Sequence, residues 1–385
     1  MWFRHRRVLL VKILLLLVIL VVVGLTSLGC VKGLQSIGWS GGAVAGDTLF
    51  VGSKEGRLVA VNIADESRQW SEPLKTSTPA GGFGCAPMAG GGCAGASAGV
   101  AIYGTPAVSG DLVYIGGYNG KIYAFSSSSL ATRWVYPREG NLQPIVGGSV
   151  VAQGKVYFGC SDGKVYALDA ATGDRQWEFE TGDKIWATPA VDGDRLFIGS
   201  FDNKLYALGA TDGSQKWKFE TGGAIVSVPL VHDNTVYIGS FDRYLYAVDA
   251  TDGSLRWKFM GENWFWAKPV VFNNTVYAGC LDGKVYALDV RNGDKVAEFN
   301  LESPISSSPV MVNSSIIFAS QKGVIYTLDT GSNKLKQLVD VEEEVYGPLC
   351  ASDGVVYIHT QDLTLHRVNA NTGAILMSIS LKSKE

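Results

Sequence analysis

Aspartates recur at a regular spacing in this chain and are the first residues to consider for chemistry. They stand forty residues apart at Asp162, Asp202, Asp242 and Asp282. Carboxylates can ligate a metal ion or act as general bases, but each of these lies in a turn-like stretch between two apolar runs. There an aspartate side chain accepts hydrogen bonds from its local backbone. We therefore predict that these four carboxylates stabilise turns.

Other candidates for catalysis or metal binding are few. Asp192 and Asp194 flank a glycine and faintly resemble a metal-binding loop. The neighbouring repeats have "HDN" and "FNN" in the same turn between strands, which favours a structural turn. The four histidines, at positions 5, 232, 359 and 366, lack the spacing of metal ligands. No nucleophile stands in a recognisable pattern with a base. The sequence thus predicts no catalytic and no metal-binding residue.

Five of the six cysteines belong to the body of the chain. Cys85 and Cys93 flank a glycine-rich stretch and predict a local disulfide in an oxidising compartment, with free thiols as the alternative. Cys160 and Cys280 occupy the same position in two distant repeats, too far apart around a ring to form a bond. We interpret them, and Cys350, as small core residues.

Residues 1–32 have the composition of an export signal or a membrane anchor. Four basic residues precede an uncharged apolar run over residues 13–31, which is long enough to span a bilayer. The stretch "SLGC" ends at Cys30 and resembles the lipobox at which bacterial lipoproteins are cleaved and lipidated. We predict lipidation at Cys30, with an uncleaved anchor helix and simple secretion as the alternatives. All three place residues 33–385 outside the cytoplasm.

The charge of the chain argues against one class of partner. Cleavage before Cys30 would remove four of the 33 basic residues and none of the 36 acidic ones, which leaves 29 against 36 and a net charge of −7. These charges are scattered along the sequence. A mildly acidic surface of this kind does not favour nucleic-acid binding.

The body of the chain is a repeat of forty residues. The run "VYFGC" at 156–160 is followed at forty-residue steps by "LFIGS", "VYIGS", "VYAGC", "IIFAS" and "VYIHT". "VYIGG" at 113–117 and "LFVGS" at 49–53 extend the series to eight repeats. Each repeat contains four extended stretches that are joined by glycine-containing turns. Four antiparallel strands in a unit of this length predict the blade of a β-propeller.

We therefore predict an all-β fold, an eight-bladed β-propeller of four-stranded antiparallel blades, over residues 38–383. Strands such as "KVYALD" are apolar on both faces because each blade packs between two others. Small residues in the second strands leave room for a neighbouring blade, at Gly159, Gly199, Gly239, Gly279 and Ala319. A Gly/Cys-rich insertion at about residues 71–103 separates the first two blades and is interpreted as a loop on one face of the disc.

A second pattern marks the end of the repeat. "ALDAATGDRQW" at 167–177, "ALGATDGSQKW" at 207–217 and "AVDATDGSLRW" at 247–257 resemble the tryptophan-docking repeat of PQQ-dependent (quinoprotein) dehydrogenases. The same PQQ-like repeat occurs in the BamB family of outer-membrane assembly lipoproteins. The resemblance implies that one tryptophan of a blade packs between adjacent blades. The matching residues are Trp70, Trp134, Trp177, Trp217 and Trp257. Ala297, Gln337 and Met377 depart from the pattern, so we expect the last three blades to be held less tightly.

The resemblance also implies what a redox member of the family requires. Quinoprotein dehydrogenases resemble one another in an adjacent cysteine pair, a stacking tryptophan, a bound Ca²⁺ and a catalytic aspartate around the PQQ cofactor. This chain has no two adjacent cysteines and is considerably shorter than those enzymes. We therefore predict that it binds neither PQQ nor Ca²⁺ and is not an enzyme.

The first strand of each blade lines the channel of a propeller, so its variable residues are candidates for binding. They are Tyr103, Trp186, Trp264, Trp266, Lys268 and Tyr346. An aromatic channel mouth could seat a peptide or a small ligand. Rings that merely fill the channel are at least as good an interpretation.

Together these features predict a non-catalytic, extracytoplasmic, membrane-tethered scaffold in a bacterial cell envelope. We expect a monomer that binds other envelope or secreted proteins. The resemblance to the BamB family implies a role in the assembly or handling of envelope proteins. A PQQ-dependent oxidoreductase and a module that senses a small ligand are the alternatives.

Overall fold

Each forty-residue unit pairs its own strands, and the fold follows from that. The computed structural model describes residues 40–53, 55–74 and 100–382. These residues form eight antiparallel sheets, each built from four consecutive strands. The predicted eight-bladed propeller with four-stranded antiparallel blades is therefore confirmed. Among the described residues, no helix is both long enough and apolar enough to cross a membrane.

Blades 1 to 4 each start with the strand nearest the channel. Blade 1 contains β1 (Gly42–Ala45), β2 (Thr48–Gly52), β3 (Leu58–Asn62) and β4 (Arg68–Trp70). Blade 2 contains β5 (Ala107–Ser109), β6 (Leu112–Gly117), β7 (Lys121–Ser126) and β8 (Thr132–Tyr136). Blade 3 contains β9 (Ser149–Ala152), β10 (Lys155–Gly159), β11 (Lys164–Asp169) and β12 (Arg175–Glu180). Blade 4 contains β13 (Ala190–Asp192), β14 (Arg195–Gly199), β15 (Lys204–Gly209) and β16 (Gln215–Glu220).

Blades 5 to 8 repeat this order. Blade 5 contains β17 (Leu230–His232), β18 (Thr235–Gly239), β19 (Tyr244–Asp249) and β20 (Leu255–Met260). Blade 6 contains β21 (Val270–Phe272), β22 (Thr275–Gly279), β23 (Lys284–Asp289) and β24 (Lys295–Asn300). Blade 7 contains β25 (Val310–Val312), β26 (Ser315–Ala319), β27 (Val324–Asp329) and β28 (Lys334–Asp340). Blade 8 contains β29 (Cys350–Ser352), β30 (Val355–His359), β31 (Thr364–Asn369) and β32 (Ile375–Ser380).

The recurring aspartates shape the turns between the second and third strands. One carboxylate oxygen of Asp162 accepts the backbone N–H of Lys164 at 2.9 Å, and the other accepts the hydroxyl of Tyr166 at 2.7 Å. The same two bonds recur in blades 4, 5 and 6 at Asp202, Asp242 and Asp282. The prediction that these carboxylates are turn residues is confirmed.

Four tryptophans connect blades 2 to 5 to the blade that follows each of them. The indole N–H of Trp217 donates to the carbonyl of Ala250 in blade 5 at 3.0 Å, and its ring covers Gly253. A β-bulge follows Ala207 in the pairing of β15 with β16, and it sets the register that places Trp217 opposite Ala207. The corresponding indole bonds run from Trp134 to Ala170, from Trp177 to Ala210 and from Trp257 to Val290.

Trp70 departs from the docking that its sequence position predicts. β3 and β4 pair without a bulge, so Trp70 stands opposite Val59, one residue away from the register of the other blades. A shift of one residue turns a side chain to the other face of a sheet. The ring accordingly packs into the cluster between blades 8 and 1. Its indole N–H has no hydrogen-bond partner among the described residues.

Other contacts take the place of the tryptophan in the last three blades. Ala297 packs, half-buried, into the cluster between blades 6 and 7. The carbonyl of Leu338 lies against Gly373, at the position that an indole ring covers elsewhere. Met377 is buried between blades 8 and 1. That these blades are held less tightly remains a prediction.

The ring closes between blades 8 and 1 without a strand shared by the two blades. Nδ1 of the buried His359 lies 2.9 Å from the carbonyl oxygen of Ser40. Arg367 donates to the carbonyl of Ile63, also at 2.9 Å. Side-chain to backbone bonds and one apolar cluster therefore hold the two ends of the propeller together.

The flanks of the predicted insertion belong to the propeller. Ser71, Leu74 and Ile102 are buried, and the backbone N–H of Leu74 donates to the carbonyl of Gly56 at 2.7 Å. Residues 75–99, which include the cysteine pair of the predicted disulfide, lie outside the described residues. So do residues 1–39, which include the predicted lipidation site and anchor segment.

Candidate functional site

The central channel contains a cavity of about 240 Å³. Its walls come mainly from the segments that lead into the first strands of blades 2 to 8. They carry aromatic rings, small hydroxyl side chains, valines and bare glycine backbone. The lining residues are Tyr103, Gly104, Thr105, Tyr118, Val146, Gly147, Gly148, Trp186, Thr188, Val226, Val228, Trp266, Ser306, Ser308, Tyr346 and Pro348. Within the described part of the chain, no charged side chain lines this cavity.

From blade 2 to blade 8, the blades whose lining residues the structure describes, large and small side chains alternate around the cavity. Blades 2, 4, 6 and 8 contribute an aromatic residue at the same register, and we call these the four channel rings: Tyr103, Trp186, Trp266 and Tyr346. At that register blades 3, 5 and 7 carry Val146, Val226 and Ser306. A large ring from every blade would crowd the axis, and the alternation leaves the cavity open. Each channel ring is half-buried and therefore presents surface to the cavity.

The other two predicted channel residues, Trp264 and Lys268, do not line the cavity. Trp264 is 41% exposed and stacks on Phe241, with the ring centroids 4.3 Å apart. Lys268 stands at the register of Thr188 and Ser308, and its backbone N–H donates to the hydroxyl of Ser308 at 3.1 Å. Burial lowers the pKa of the Lys268 ammonium because the charged form loses hydration. The structure thus brings together four of the six predicted residues.

A continuous aromatic surface adjoins the cavity across blades 4 to 6. We define it by five residues: Trp186, Phe201, Phe241, Trp264 and Trp266. Neighbouring ring centroids lie 4.8 Å apart for Trp186 and Phe201, 6.2 Å for Phe201 and Phe241, and 5.6 Å for Phe241 and Trp266. The ammonium of Lys184 lies 5.0 Å from the ring centroid of Trp186 and 4.5 Å from that of Phe201, at cation–π distance.

Phe201 and Phe241 are site residues that the sequence reasoning missed. They lie in the turn between the second and third strands, where the backbone N–H of Phe201 donates to the carbonyl of Lys184 at 3.0 Å. This bond joins the turn to the linker that carries a channel ring. Blades 6 and 7 have Leu281 and Gln321 at the same turn position. An aromatic residue at this variable position was the signal that could have identified them.

The corresponding linker of blade 8 is acidic. Glu342, Glu343 and Glu344 are exposed, and the hydroxyl of Tyr346 donates to a carboxylate oxygen of Glu344 at 3.1 Å. Burial, together with this carboxylate, raises the pKa of Tyr346. Lys184 occupies the same linker position in blade 4, four blades away. Asp183 stands next to Lys184 and is exposed, so the linker of blade 4 carries both charges, whereas that of blade 8 carries three glutamates.

The described cysteines are free thiols, and Cys160 and Cys280 are buried in the core as predicted, whereas Cys350 is half-buried. Burial raises the pKa of Cys280 to about 12 and also raises that of Cys160. Such thiols are poor nucleophiles because the thiolate is the reactive form. In the described ranges, no three His, Cys, Asp or Glu side chains are grouped as metal ligands.

Two protein families match the chain. Residues 145–384 match the family described as "Beta-alanine-activating enzyme, beta-propeller". Residues 32–184 match the family described as "Outer membrane protein assembly factor BamB". No curated protein sequence matches the chain.

Two solved structures illustrate the fold. The crystal structure of BamB from Moraxella catarrhalis is 20% identical, covers 84% of this chain and 91% of its own, and superposes with a TM-score of 0.67. The computationally designed Ika8 protein is 16% identical, covers 87% of this chain and 96% of its own, and has a TM-score of 0.69. At such identities the similarity shows the fold alone. Because the first family match covers more than half of its length, the chain belongs to the beta-propeller family described for the beta-alanine-activating enzyme, and it is a PQQ-like propeller that resembles BamB.

Proposed function

We propose that this protein is a non-catalytic scaffold of the bacterial cell envelope that binds other envelope or secreted proteins. The aromatic surface on blades 4 to 6 is the observation that carries the proposal. Exposed aromatic rings supply much of the binding energy in protein interfaces, because they bury a large area with few rotatable bonds. Trp264 is 41% exposed and forms part of a contiguous aromatic patch, and such patches mark interaction sites.

The family match over residues 32–184 supports an assembly role of the kind that the name of BamB describes. The other matching family is named after an enzyme, but the match covers residues 145–384, whose described part up to residue 382 forms propeller blades. We therefore infer a binding module rather than a site of activation chemistry. Reduction of a redox dye by the purified protein supplied with PQQ and Ca²⁺ would contradict this inference and favour the oxidoreductase alternative.

Replacing Trp264 by alanine is expected to weaken binding of the partner about tenfold or more, since a central tryptophan contributes about 2 kcal/mol or more at an interface. In the native cell, a photo-crosslinking residue at position 264 should capture the partner, and mass spectrometry of the crosslinked product would identify it. Binding of that purified partner to wild type and to Trp264→Ala then gives the affinity change.

Asn274 offers a matched control position for the crosslinker. It is exposed and lies in the same blade, in the turn between β21 and β22, on the face of the disc opposite the linkers. Equal capture of the same proteins from positions 264 and 274 would contradict a binding role for the aromatic surface. The thermal stability of Trp264→Ala should stay near that of wild type, because exposed side chains contribute little to folding.

We also propose that the protein is extracytoplasmic and tethered to the membrane through a lipid on Cys30. The basic and apolar residues ahead of "SLGC" support this proposal. Cys30→Ala is expected to abolish labelling by a radioactive or clickable fatty acid and to release the protein from the membrane fraction if the signal is still cleaved. Loss of the label with unchanged membrane retention would show an anchor helix, and retained label would contradict lipidation at this cysteine.

A further inference from the structure

Blade 8 departs from the other blades at a position where neighbouring blades pack closely. The fourth residue of the run that the second strands share is glycine in blades 1 to 6, alanine in blade 7 and His359 in blade 8. A Cβ on Gly199 would collide with Ile225 in the linker of the next blade, so the position has little room elsewhere in the ring. Blade 8 thus places an imidazole at the contact between blades 8 and 1, which we call the closure.

The imidazole of His359 is buried and binds a single backbone group of blade 1. The ring is 8% exposed, and Nδ1 lies 2.9 Å from the carbonyl oxygen of Ser40. A carbonyl oxygen only accepts hydrogen bonds, so this contact assigns the proton of the neutral ring to Nδ1. Nε2 is buried and has no hydrogen-bond partner among the described residues. The neutral ring therefore fits the closure, and a second proton on Nε2 would meet no acceptor there.

The strands packed around His359 provide no negative charge for a protonated ring. On its own face of blade 8 are Tyr357 and Arg367, and burial raises the pKa of Tyr357, so that the phenol stays neutral. In blade 1, β1, β2 and β3 contain no titratable side chain. Arg68 of β4 binds the carbonyl of Ser380 in the outermost strand of blade 8.

The carboxylate that does favour protonation is Asp362, in the turn that follows His359. Its two oxygens already accept hydrogen bonds from the hydroxyls of Thr360 and Thr364, at 2.6 and 2.7 Å. Burial outweighs this carboxylate and lowers the pKa of His359, because the charged ring would lose its hydration. A protonated His359 is therefore poorly accommodated in the closed ring.

The closure also contains other buried polar atoms without partners. Six such side-chain atoms occur among the described residues, and three belong to the closure: Nε2 of His359, Nε of Arg367 and the indole nitrogen of Trp70. A buried donor without an acceptor costs free energy. No strand is shared by blades 8 and 1 to offset this cost. We therefore expect the ring to open first at the closure.

We propose that the closure is a pH-sensitive latch, which holds blades 8 and 1 together while His359 is neutral and lets them separate when Nε2 is protonated. Separation exposes the ring to water, where the pKa of a histidine is about 6.5. The separated form then binds a proton more readily than the closed form, in which burial lowers the pKa.

The direction of the pH dependence follows from this difference. The stabilisation by neutral His359 is complete above about pH 6.5 and is lost as the pH falls below that value. The ratio of separated to closed forms should increase about tenfold per pH unit, until the ring is protonated in the closed form as well. The latch is independent of the binding role of the aromatic surface, which lies on blades 4 to 6.

Oxidation of Met377 by hydrogen peroxide measures the separated form in the purified full-length protein. Met377 is 9% exposed and belongs to the apolar cluster of the closure. Its thioether does not titrate between about pH 7.5 and about pH 5.5, one unit on either side of the ordinary pKa of histidine. Mass spectrometry should show that Met377 is oxidised about tenfold faster at the lower pH.

Two other methionines are internal controls. Met260 is 48% exposed, and Met311 packs between blades 6 and 7. Neither should be oxidised faster at the lower pH. Equal acceleration of Met311 would indicate general unfolding and would contradict a local latch, as would a rate for Met377 that does not change with pH.

Two variants test whether His359 causes the effect. His359→Asn keeps an N–H donor close to the position of Nδ1 and cannot titrate, so Met377 should be oxidised at the same rate at both pH values. His366→Asn is the matched control and should keep the tenfold change. His366 is also buried, but it lies on the other face of the sheet, with Nδ1 2.8 Å from the hydroxyl oxygen of Ser378. Loss of the change in His366→Asn alone would refute the assignment.

NMR of the wild-type imidazole tests the latch without a substitution. At neutral pH the ring of His359 should carry its proton on Nδ1, and in the folded protein it should titrate well below about pH 6.5. A proton on Nε2, or an ordinary titration near pH 6.5, would overturn the proposal even if His359→Asn failed to fold.

Discussion

Replacing Trp217 by alanine is expected to lower the free energy of unfolding by about 3–5 kcal/mol, the usual cost of truncating a buried aromatic side chain. The indole is 8% exposed and belongs to the apolar cluster between blades 4 and 5. Its loss leaves a cavity over Gly253 and removes the hydrogen-bond donor to the carbonyl of Ala250, which the indole reaches at 3.0 Å. Equilibrium urea unfolding of the two proteins measures the difference.

Trp217→Phe separates packing from hydrogen bonding. Phenylalanine keeps most of the buried area and lacks the N–H group, so it is expected to cost less than alanine, with about 1 kcal/mol of its cost due to the lost bond. Trp70→Ala is the second control, because that indole N–H has no hydrogen-bond partner among the described residues. Its ring packs between blades 8 and 1. A cost below about 1 kcal/mol for Trp217→Ala, as for a surface substitution, would contradict the docking role.

The repeat period predicted the blades well because the determinants of a blade are local. Alternating apolar residues and turn residues at fixed offsets decide which strands pair, and both are visible in the sequence. Trp70 packs between adjacent blades as predicted, but against the preceding blade and not the following one. In sequence, Trp70 follows the third strand of its blade at the same separation as the other tryptophans. The β-bulge that orients those tryptophans is absent from the pairing of β3 with β4. A bulge is a property of backbone hydrogen bonding, and residue types alone did not reveal its loss.

The site was predicted in part for a similar reason. The first strands of the blades define the channel, so its aromatic residues could be identified from the repeat alone. Phe201 and Phe241 escaped because they come from turns, and the sequence does not show that these turns fold against the linkers. The direction of Lys268 was equally hidden. Whether a long side chain enters a cavity or lies beside it depends on the packing of neighbouring blades.

Where two blades pack against each other, which we call a seam, a small residue of one blade faces a large residue of the next. The sequence identified the small residues but not their large partners. The glycines predicted to leave room for a neighbour each face a branched or aromatic linker residue of the next blade. A Cβ on Gly199, Gly239 or Gly279 would stand 2.1–2.6 Å from an atom of Ile225, Phe265 or Ile305. Blade 7 has Ala319, and it shares a cluster with the shorter Val345. The size of one residue therefore sets the space available to the other.

A double-mutant cycle at Gly279 and Ile305 tests this dependence. Gly279→Ala should destabilise by about 1–3 kcal/mol through overpacking, because the new Cβ would meet Cγ2 of Ile305 at 2.6 Å. Ile305→Ala should cost about 2–5 kcal/mol by leaving a cavity. The double variant should cost less than the two together by about 0.5–3 kcal/mol, since alanine at position 305 has no Cγ2.

Ile225 supplies the matched control because it lies at the seam between blades 4 and 5. Gly279→Ala combined with Ile225→Ala should be additive within about 0.5 kcal/mol, as expected for sites without shared contacts. The entropy that alanine removes from the unfolded chain is the same in both backgrounds and cancels in each cycle. Additivity at Gly279 and Ile305 would mean that the blades adjust freely to a new methyl group. Coupling between Gly279 and Ile305, without coupling between Gly279 and Ile225, would show that the packing at each seam depends on its own pair of residues.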